Sequence, residues 1–289
     1  MIKTILVPAS GDRTDLVALA GALSVAQAFR AHIDVLHVRQ DAVDIAVAMS
    51  AEPGGGMLIN GVIEQLERDA SEREAVASRQ FQEFCAREQL ATAGAASPRT
   101  EEAPTAQWHC ETGNETRWMT TYGMAAELIV AGRGANHEAT ARSLLEAALL
   151  ETGRPLLIPG ETAGGPDICD TIAIAWKSTP EAARAVTASL PFIARARHVV
   201  VMTVEEGGRS EDQPDRLVDS LGWHGCRVTA ERIAAEGREP ADALLAAAQG
   251  RAGLLVMGGY GHGRLREWVF GGFTQRVLAD APLPVLMAH

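Results

Sequence analysis

Short apolar runs alternate with stretches of helical periodicity from the start of the chain. The first run, Thr4-Ile5-Leu6-Val7, ends at Pro8 and predicts a buried parallel strand. Residues 15–30 then carry apolar side chains at helical spacing, and residues 33–38 form the next apolar run. The order strand, helix, strand predicts a crossover unit whose two strands lie parallel.

The first half continues this alternation around one long insert. Residues 60–90 have a charged helical pattern, and residues 160–166 have the Gly- and Pro-containing composition of a linker. Between them, strands are predicted at 108–110, 128–131 and 155–159, and helices at 115–122 and 143–151.

After the linker the same order of elements repeats. Strands are predicted at 171–175, 198–204, 228–233, 254–257 and 284–287, with helices at 180–191, 240–249 and 273–279. The repeat predicts two α/β domains, each a doubly wound parallel sheet of about five strands with helices on both faces. The predicted domains comprise residues 1–160, which contain the insert, and residues 167–289.

The composition bears on which classes of partner the protein binds and on where in the cell it is found. The formal net charge of −11 argues against a broad nucleic-acid-binding surface, because phosphate contacts need a basic stripe. No apolar stretch approaches the length of a membrane span, and the apolar run at the N-terminus is too short for a signal sequence. We therefore expect a cytoplasmic protein with neither a nucleic acid nor a membrane as partner.

The second copy has a glycine-rich loop directly after its fourth strand. The apolar strand ends at Gly258, glycines continue to Gly261, and the pair Gly271-Gly272 precedes a predicted helix. Glycines let backbone N–H groups approach an anion closely, and a helix N-terminus adds partial positive charge. A polyphosphate is the ligand that suits this pattern.

Three side chains of the loop, His262, Arg264 and Arg266, provide further donors at its rim. The loop lacks the Gly-Lys-Ser/Thr of a Walker A motif, and Arg264 takes the third glycine position of a dinucleotide fingerprint. Judged by residues alone, the glycines fit tight turns and close helix–sheet packing as well as they fit phosphate binding.

The stretch 256–274, with the final strand, resembles the universal stress protein family. Its nucleotide-binding members carry Gly-x2-Gly-x9-Gly-Ser/Thr, and Gly258, Gly261 and Gly271 have this spacing. The last position departs, because Gly272 stands where the family has a hydroxyl that helps to hold the terminal phosphates. The resemblance implies Rossmann-like domains that bind ATP or a related adenine nucleotide, alone or with Mg²⁺.

In the family, the first strand ends in an Asp-Gly-Ser-like turn that meets the adenosine. The second copy has Trp176-Lys177-Ser178 at this place, so Trp176 replaces the acid and either stacks on the base or fills a gap. No residue is assigned a catalytic or metal-binding role. The resemblance implies a nucleotide site formed by Ala175, Trp176, Met257, Gly258, Gly261, His262, Arg264, Gly271, Gly272 and Phe273.

The first copy carries a degenerate form of the motif. Its loop begins at Gly132, the second glycine position holds Ala135, and Ser143 lies where the final pair would be. Family dimers pair through the last strand, so Leu157 and Leu286 are candidates for pairing the two copies as an intra-chain pseudo-dimer, or for pairing two chains as a homodimer.

These features favour a stress-response regulatory protein that binds ATP or a related adenine nucleotide in its C-terminal domain. One alternative is an interaction protein with a vestigial site, which would use the insert at 60–90 as its partner surface. A second alternative is a slow ATPase, although the motif contains no obvious base or metal carboxylate. The segment Ser10–Asp15 is interpreted as an ordinary strand–helix turn with an N-cap.

Overall fold

The chain packs as two compact units. The computed structural model describes residues 1–42, 45, 59–96, 103–133, 139–160, 167–205, 213–259 and 272–289. The first unit comprises residues 2–152, and residues 153–289 form the second together with Met1. Among the described residues, no helix is long and apolar enough to cross a membrane.

The first unit is a parallel sheet with helices. Its elements in chain order are β1 (Thr4–Pro8), α1 (Thr14–Phe29), β2 (His32–Arg39), α2 (Ile59–Glu88), β3 (Ala91–Thr92), β4 (Thr105–Thr112), α3 (Glu115–Ala125), β5 (Leu128–Val130) and α4 (Ala139–Leu150). The strands lie in the order β3-β4-β2-β1-β5, and each neighbouring pair is parallel. The chain therefore runs outwards from β1 in both directions.

The second unit repeats this plan. Its elements are β6 (Leu156–Ile158), β7 (Thr171–Ala175), α5 (Pro180–Ile193), β8 (His198–Glu205), α6 (Asp215–Gly222), β9 (Arg227–Ala234), α7 (Pro240–Ala248), β10 (Leu254–Gly258), α8 (Gly272–Asp280) and β11 (Val285–Ala288). The strand order is β6-β11-β10-β7-β8-β9. The five strands β7 to β11 form the predicted parallel sheet.

The sixth strand of the second unit differs from the expectation. The sequence assigned the β6 run to the first copy, whereas here β6 packs in the second unit and pairs antiparallel to β11. Leu157 lies directly opposite Leu286, so the two expected strands do pair. Both side chains are buried, and the pairing extends the apolar core of this unit. The pseudo-dimer itself stays a prediction.

Burial of the central strands explains why the apolar runs fold this way. β1 and β7 share one burial pattern, with three buried residues between half-buried ends. Because consecutive side chains of a strand point to opposite faces, three buried residues in a row show that both faces are covered, so a continuous apolar run is required. In α1 the small side chains of Ala18, Ala22 and Ala26 are fully buried, which lets the helix approach the sheet closely.

The Leu157–Leu286 pair tests the antiparallel contact. We expect Leu157→Ala and Leu286→Ala each to lower the free energy of unfolding by about 2–5 kcal/mol. Because residues opposite each other on paired strands contact, the double variant should lose less than the sum of the two single variants. Denaturant titration of the four proteins measures this coupling. Leu157→Ala combined with Leu36→Ala of the first unit is the control, for which strict additivity is expected.

Candidate functional site

The carboxyl ends of β7 and β10 lie side by side in the second unit. Ala175 is opposite Met257, and Gly258 follows at the end of β10. Strands β8 and β9 lie on one side of β7 and strands β10 and β11 on the other, so the strand order reverses between β7 and β10. In open α/β sheets the crevice beyond such a reversal is where ligands bind. The structure therefore brings Ala175, Trp176, Met257 and Gly258 together at this edge.

Gly258 ends β10 against the first turn of α5. A Cβ at this position would lie 2.6 Å from the backbone N of Ala182 and 2.7 Å from the carbonyl C of Glu181. These are backbone atoms and cannot rotate away, so glycine is required here for packing. The first glycine of the motif thus has the packing role that the sequence left open.

The first unit uses a glycine in the same way. Gly132 follows β5, and a Cβ there would lie 2.7 Å from the carbonyl O of Thr14, the first residue of α1. In each unit, a glycine at the end of the strand next to the strand-order reversal lets the first helix of that unit approach the sheet. This glycine is Gly258 at the end of β10 and Gly132 just after β5. The repeat is therefore preserved in this contact.

Helix α8 presents its N-terminus after the glycine-rich loop. It begins at Gly272, followed by Phe273, and Thr274 is buried in its first turn. Gly272 is exposed, and no atom lies within 4 Å of a Cβ built on it. The first turn of a helix has unpaired N–H groups and partial positive charge, which favour an anion. Nothing in the described surroundings of Gly272 requires glycine.

Four predicted site residues fall outside the described residues: Gly261, His262, Arg264 and Gly271. Their assignment to the site stays a prediction. The same holds for Ala135 of the first copy.

Trp176 extends β7 by one further residue. Its N–H donates to the carbonyl O of Met202 at 2.8 Å, which places Trp176 opposite Thr203 of β8 in the parallel register. Trp176 Nε1 and Thr203 Oγ1 are both buried, and neither has a hydrogen-bond partner among the described residues. Sequence reasoning selected Trp176 but missed Thr203, whose only signal was a polar residue within the apolar run of β8.

The corresponding edge of the first unit contains a cavity of about 290 Å³. The ends of β1, β2 and β5 line it, and the insert helix α2 passes beside it. Gly11 has φ of +90°, and a Cβ on it would lie 2.9 Å from the carbonyl O of Arg73 on α2. The backbone of α2 therefore packs on the turn that follows β1.

Two aspartates hold the turn between β1 and α1. Asp15 accepts hydrogen bonds from the N–H groups of Ser10 at 3.1 Å and Gly11 at 2.7 Å. Asp12 accepts one from the N–H of Thr14 at 2.6 Å. The segment is a strand–helix turn, as interpreted from the sequence, but the N-cap is Arg13, whose side chain makes no capping bond. Asp12 therefore takes over the role of a cap for the first N–H of α1, and Asp15 holds the turn before the helix.

Buried acidic groups give this first-unit cavity an unusual charge balance. Burial raises the pKa of Asp15 to about 6, against the lowering effect of its backbone hydrogen bonds. Burial also raises the pKa of Glu115, which the nearby Arg73 opposes and Asp15 reinforces. The lining contains three acidic side chains, Asp12, Asp15 and Glu115, and two arginines, Arg39 and Arg73, so its charges offer a polyphosphate no net attraction.

Comparison with known proteins agrees with the glycine motif and the sheet order. The sequence profile described as the universal stress protein family matches residues 175–289. No curated protein matches the sequence. The solved structure of a universal stress protein from Archaeoglobus fulgidus DSM 4304 is similar over 99% of this chain and 95% of its own, at 16% identity and a TM-score of 0.63.

Two further solved structures, both from Pseudomonas aeruginosa, also cover 99% of this chain. One is a universal stress protein of strain UCBPP-PA14, with 15% identity, 93% of its own chain covered and a TM-score of 0.55. The other is a functionally unknown protein of strain PAO1, with 16% identity, 92% of its own chain covered and a TM-score of 0.56. At these identities the structural likeness establishes the fold.

Two glycine substitutions at the ligand-binding edge predicted for the second unit distinguish a glycine that packing requires from one with open space around it. We expect Gly258→Ala to lower the free energy of unfolding by about 1–3 kcal/mol, because the new Cβ overlaps backbone atoms of α5. Gly272→Ala should be neutral or slightly stabilising, because its Cβ meets nothing and alanine favours a helix. Thermal or denaturant unfolding measures both, and equal effects would contradict the packing role of Gly258.

The raised pKa of Asp15 predicts a pH dependence of stability. The unfolded carboxyl has its usual pKa near 4 and the folded one about 6, so the folded state binds more protons between these values. The contribution of the protonated carboxyl is fully present below about pH 4 and is lost as the pH rises through 6. Relative to Asp15→Asn, the wild type should lose on the order of 2–3 kcal/mol of unfolding free energy between pH 4 and pH 7.

Denaturant titrations of wild type and Asp15→Asn across this pH range provide the measurement. The difference between the two profiles isolates Asp15 from every other titrating group. Parallel profiles would show that the carboxyl of Asp15 titrates normally.

Proposed function

We propose that this chain, whose residues 175–289 belong to the universal stress protein family, is a stress-response regulatory protein that binds ATP or a related adenine nucleotide at the second-unit edge. The observation that carries the proposal is the position of Gly258. It lies at the carboxyl end of β10, beside the strand-order reversal, and α8 begins at Gly272 after the glycine-rich loop. Strand end, glycines and helix N-terminus together suit a phosphate group.

The proposal assigns the nucleotide to the second unit rather than the first. In the first unit, Asp15 and Glu115 are buried at the matching edge, and α2 packs on Gly11. The carboxyl groups oppose a polyphosphate through charge, and α2 covers the turn after β1 beside the remaining cavity. At the second-unit edge the described carboxylate beside Gly258 is that of Glu181, which Arg184 neutralises in an ion pair at 3.1 Å.

Gly272 is the point at which the proposed site departs from the family motif. The family resemblance puts a hydroxyl here that holds the terminal phosphates, and the exposed position of Gly272 leaves space for one. The site as it stands would bind phosphate through backbone N–H groups and the helix N-terminus. We therefore propose binding that is read out through conformation or partner contacts rather than through turnover.

Restoring the hydroxyl tests the proposed site directly. We expect Gly272→Ser to bind ATP about 5-fold more tightly than wild type, since one added hydrogen bond contributes about 1 kcal/mol. Gly272→Ala is the matched control and should bind as the wild type does, because it adds a Cβ without a donor. Isothermal titration with ATP and ADP, each with and without Mg²⁺, measures the affinities.

The alternatives make different predictions in the same experiment. An interaction protein with a vestigial site would give no heat and no thermal shift at millimolar nucleotide, for wild type and for Gly272→Ser. A slow ATPase would release phosphate in proportion to occupancy, so hydrolysis would rise with Gly272→Ser and persist through purification. Tight binding of ATP without phosphate release would support the regulatory function.

A further inference from the structure

The outer edge of β9 has no partner strand among the described residues. β9 lies at one end of the strand order of the second unit, and β8 pairs with its inner edge. The strand is eight residues long, and only Ile233 is buried. An open strand edge presents a row of unpaired backbone N–H and C=O groups with which a further strand can pair. This edge is therefore a candidate interaction surface.

The first unit shows that the fold accepts a further strand at this edge. Thr105 of β4 and Arg227 of β9 hold equivalent positions, because each is paired with the first residue of the neighbouring strand, His32 of β2 and His198 of β8. In the first unit Ala91 of β3 pairs with Thr105, so β3 covers the start of the edge. In the described part of the second unit no strand does so.

The sequence of β9 is self-complementary for antiparallel pairing. Its first five residues read Arg-Val-Thr-Ala-Glu. When a second copy of the chain pairs antiparallel about Thr229, Arg227 lies opposite Glu231 of that copy, and Val228 lies opposite its Ala230. Two-fold symmetry makes each contact twice, and residues opposite each other are close enough for their side chains to interact. Opposite charges then meet at both ends, with small apolar side chains between them.

Other registers lack this match. Pairing centred on Ala230 sets Glu231 against Thr229 and Arg232 against Val228, so no charge pair forms. Pairing centred on Glu231 or Arg232 sets like charges against each other, which is destabilising. Among the registers centred on a residue of β9, pairing about Thr229 is the one that sets opposite charges of the strand against each other.

The two charges are prepared for such a contact. Arg251 donates to both carboxylate oxygens of Glu231, at 3.1 and 2.7 Å, and this contact lowers the pKa of Glu231. A carboxylate has about four lone-pair positions, so it can accept from a second arginine as well. Arg232 and Arg251 each pair with a glutamate, whereas the exposed Arg227 has no acidic partner in the described part of the chain.

An exposed tryptophan lies at the amino-terminal end of the same strand. Trp223 ends α6, four residues before β9 begins, and it is 91% exposed, more than any other large apolar side chain among the described residues. In an antiparallel pair it would lie near the carboxyl end of the other β9, where Ala234 is exposed. A covered tryptophan buries about 150–250 Å², and tryptophan is enriched among the residues that dominate interfaces.

The last strand cannot provide the same contact. β11 pairs with β10 on one side and with β6 on the other, so both of its edges are already used. A second copy that pairs with this sheet through a strand needs an edge that is still open, as that of β9 is.

We propose that β9 is a self-association surface, on which a second copy of the chain pairs antiparallel about Thr229 to form a two-fold dimer. Trp223 of each copy covers the end of the strand pair. The dimer does not depend on nucleotide binding, so it stands or falls separately from the proposed function.

Exchanging the charges of β9 tests the proposal. Sedimentation equilibrium of the full chain over a range of concentrations measures the dissociation constant of the dimer. We expect Arg227→Glu and Glu231→Arg each to weaken the dimer by about 10-fold or more, because each replaces two attractions with two repulsions. An equimolar mixture of the two variants should regain the affinity, since every contact between unlike chains then joins opposite charges.

Arg238→Glu is the matched control. Arg238 is exposed and outside β9, and it is paired with Glu236 at 3.3 Å. This variant changes the net charge as Arg227→Glu does and should leave the dimer unchanged. Trp223→Ala should weaken the dimer by about 10-fold, without a change of charge. Circular dichroism establishes that each variant is folded.

Three results would overturn the proposal. The first is a wild type that stays monomeric at the highest concentration measured. The second is a dimer that Arg227→Glu and Arg238→Glu affect equally, which places the contact elsewhere. The third is a mixture of Arg227→Glu and Glu231→Arg that associates no better than either variant alone, which excludes the register about Thr229.

Discussion

Close approach of the first helix to a neighbouring strand end is the constraint on which each unit depends. In the second unit the backbone of α5 leaves no space for a Cβ on Gly258, and in the first unit the start of α1 does the same at Gly132. This contact joins the two halves of a sheet whose strand order reverses between the contacting elements. A larger residue would separate helix from strand at the edge where a ligand would bind. The glycine is therefore needed for the fold before it is needed for any ligand.

The two repeats keep this contact and differ beside it. In the first unit, α2 packs on the turn after β1, and buried carboxyl groups occupy the matching edge. In the second unit the turn after β7 carries Trp176, and the buried hydroxyl of Thr203 within β8 lies next to it without a partner in the described part of the chain. Residues at the same position of the sheet thus differ between the two units, while the surrounding fold is the same. In this way a duplicated domain can lose a site in one copy and alter it in the other.

The sequence was informative where the physical cause is local. Strands such as Leu254–Gly258 were predicted because a strand covered on both faces must be apolar throughout. Helix α6 was missed because it has only eight residues and is mostly polar, with Leu217, Val218 and Leu221 as its apolar side chains. The pairing of β6 with β11 was expected from the family resemblance, but the packing of β6 in the second unit was not, because no short-range pattern encodes that contact.

The same reasoning explains what could be predicted of the site. The glycine spacing identified Gly258, but whether it serves packing or binding depended on how closely α5 approaches, which is a tertiary property. Thr203 could not be selected, because a threonine in a strand is ordinary until its hydroxyl is found buried without a partner. The residues of the loop from 260 to 271 remain predictions from the motif alone.

The two departures from the family motif lie at opposite ends of the proposed site. Gly272 removes a hydroxyl at the phosphate end, and Trp176 replaces an acidic acceptor with a donor at the other. Without a side-chain contact to the terminal phosphate, the binding free energy would depend less on the number of phosphates in the nucleotide. A site that holds the phosphates through backbone N–H groups would therefore suit the proposed sensing of a nucleotide better than its hydrolysis.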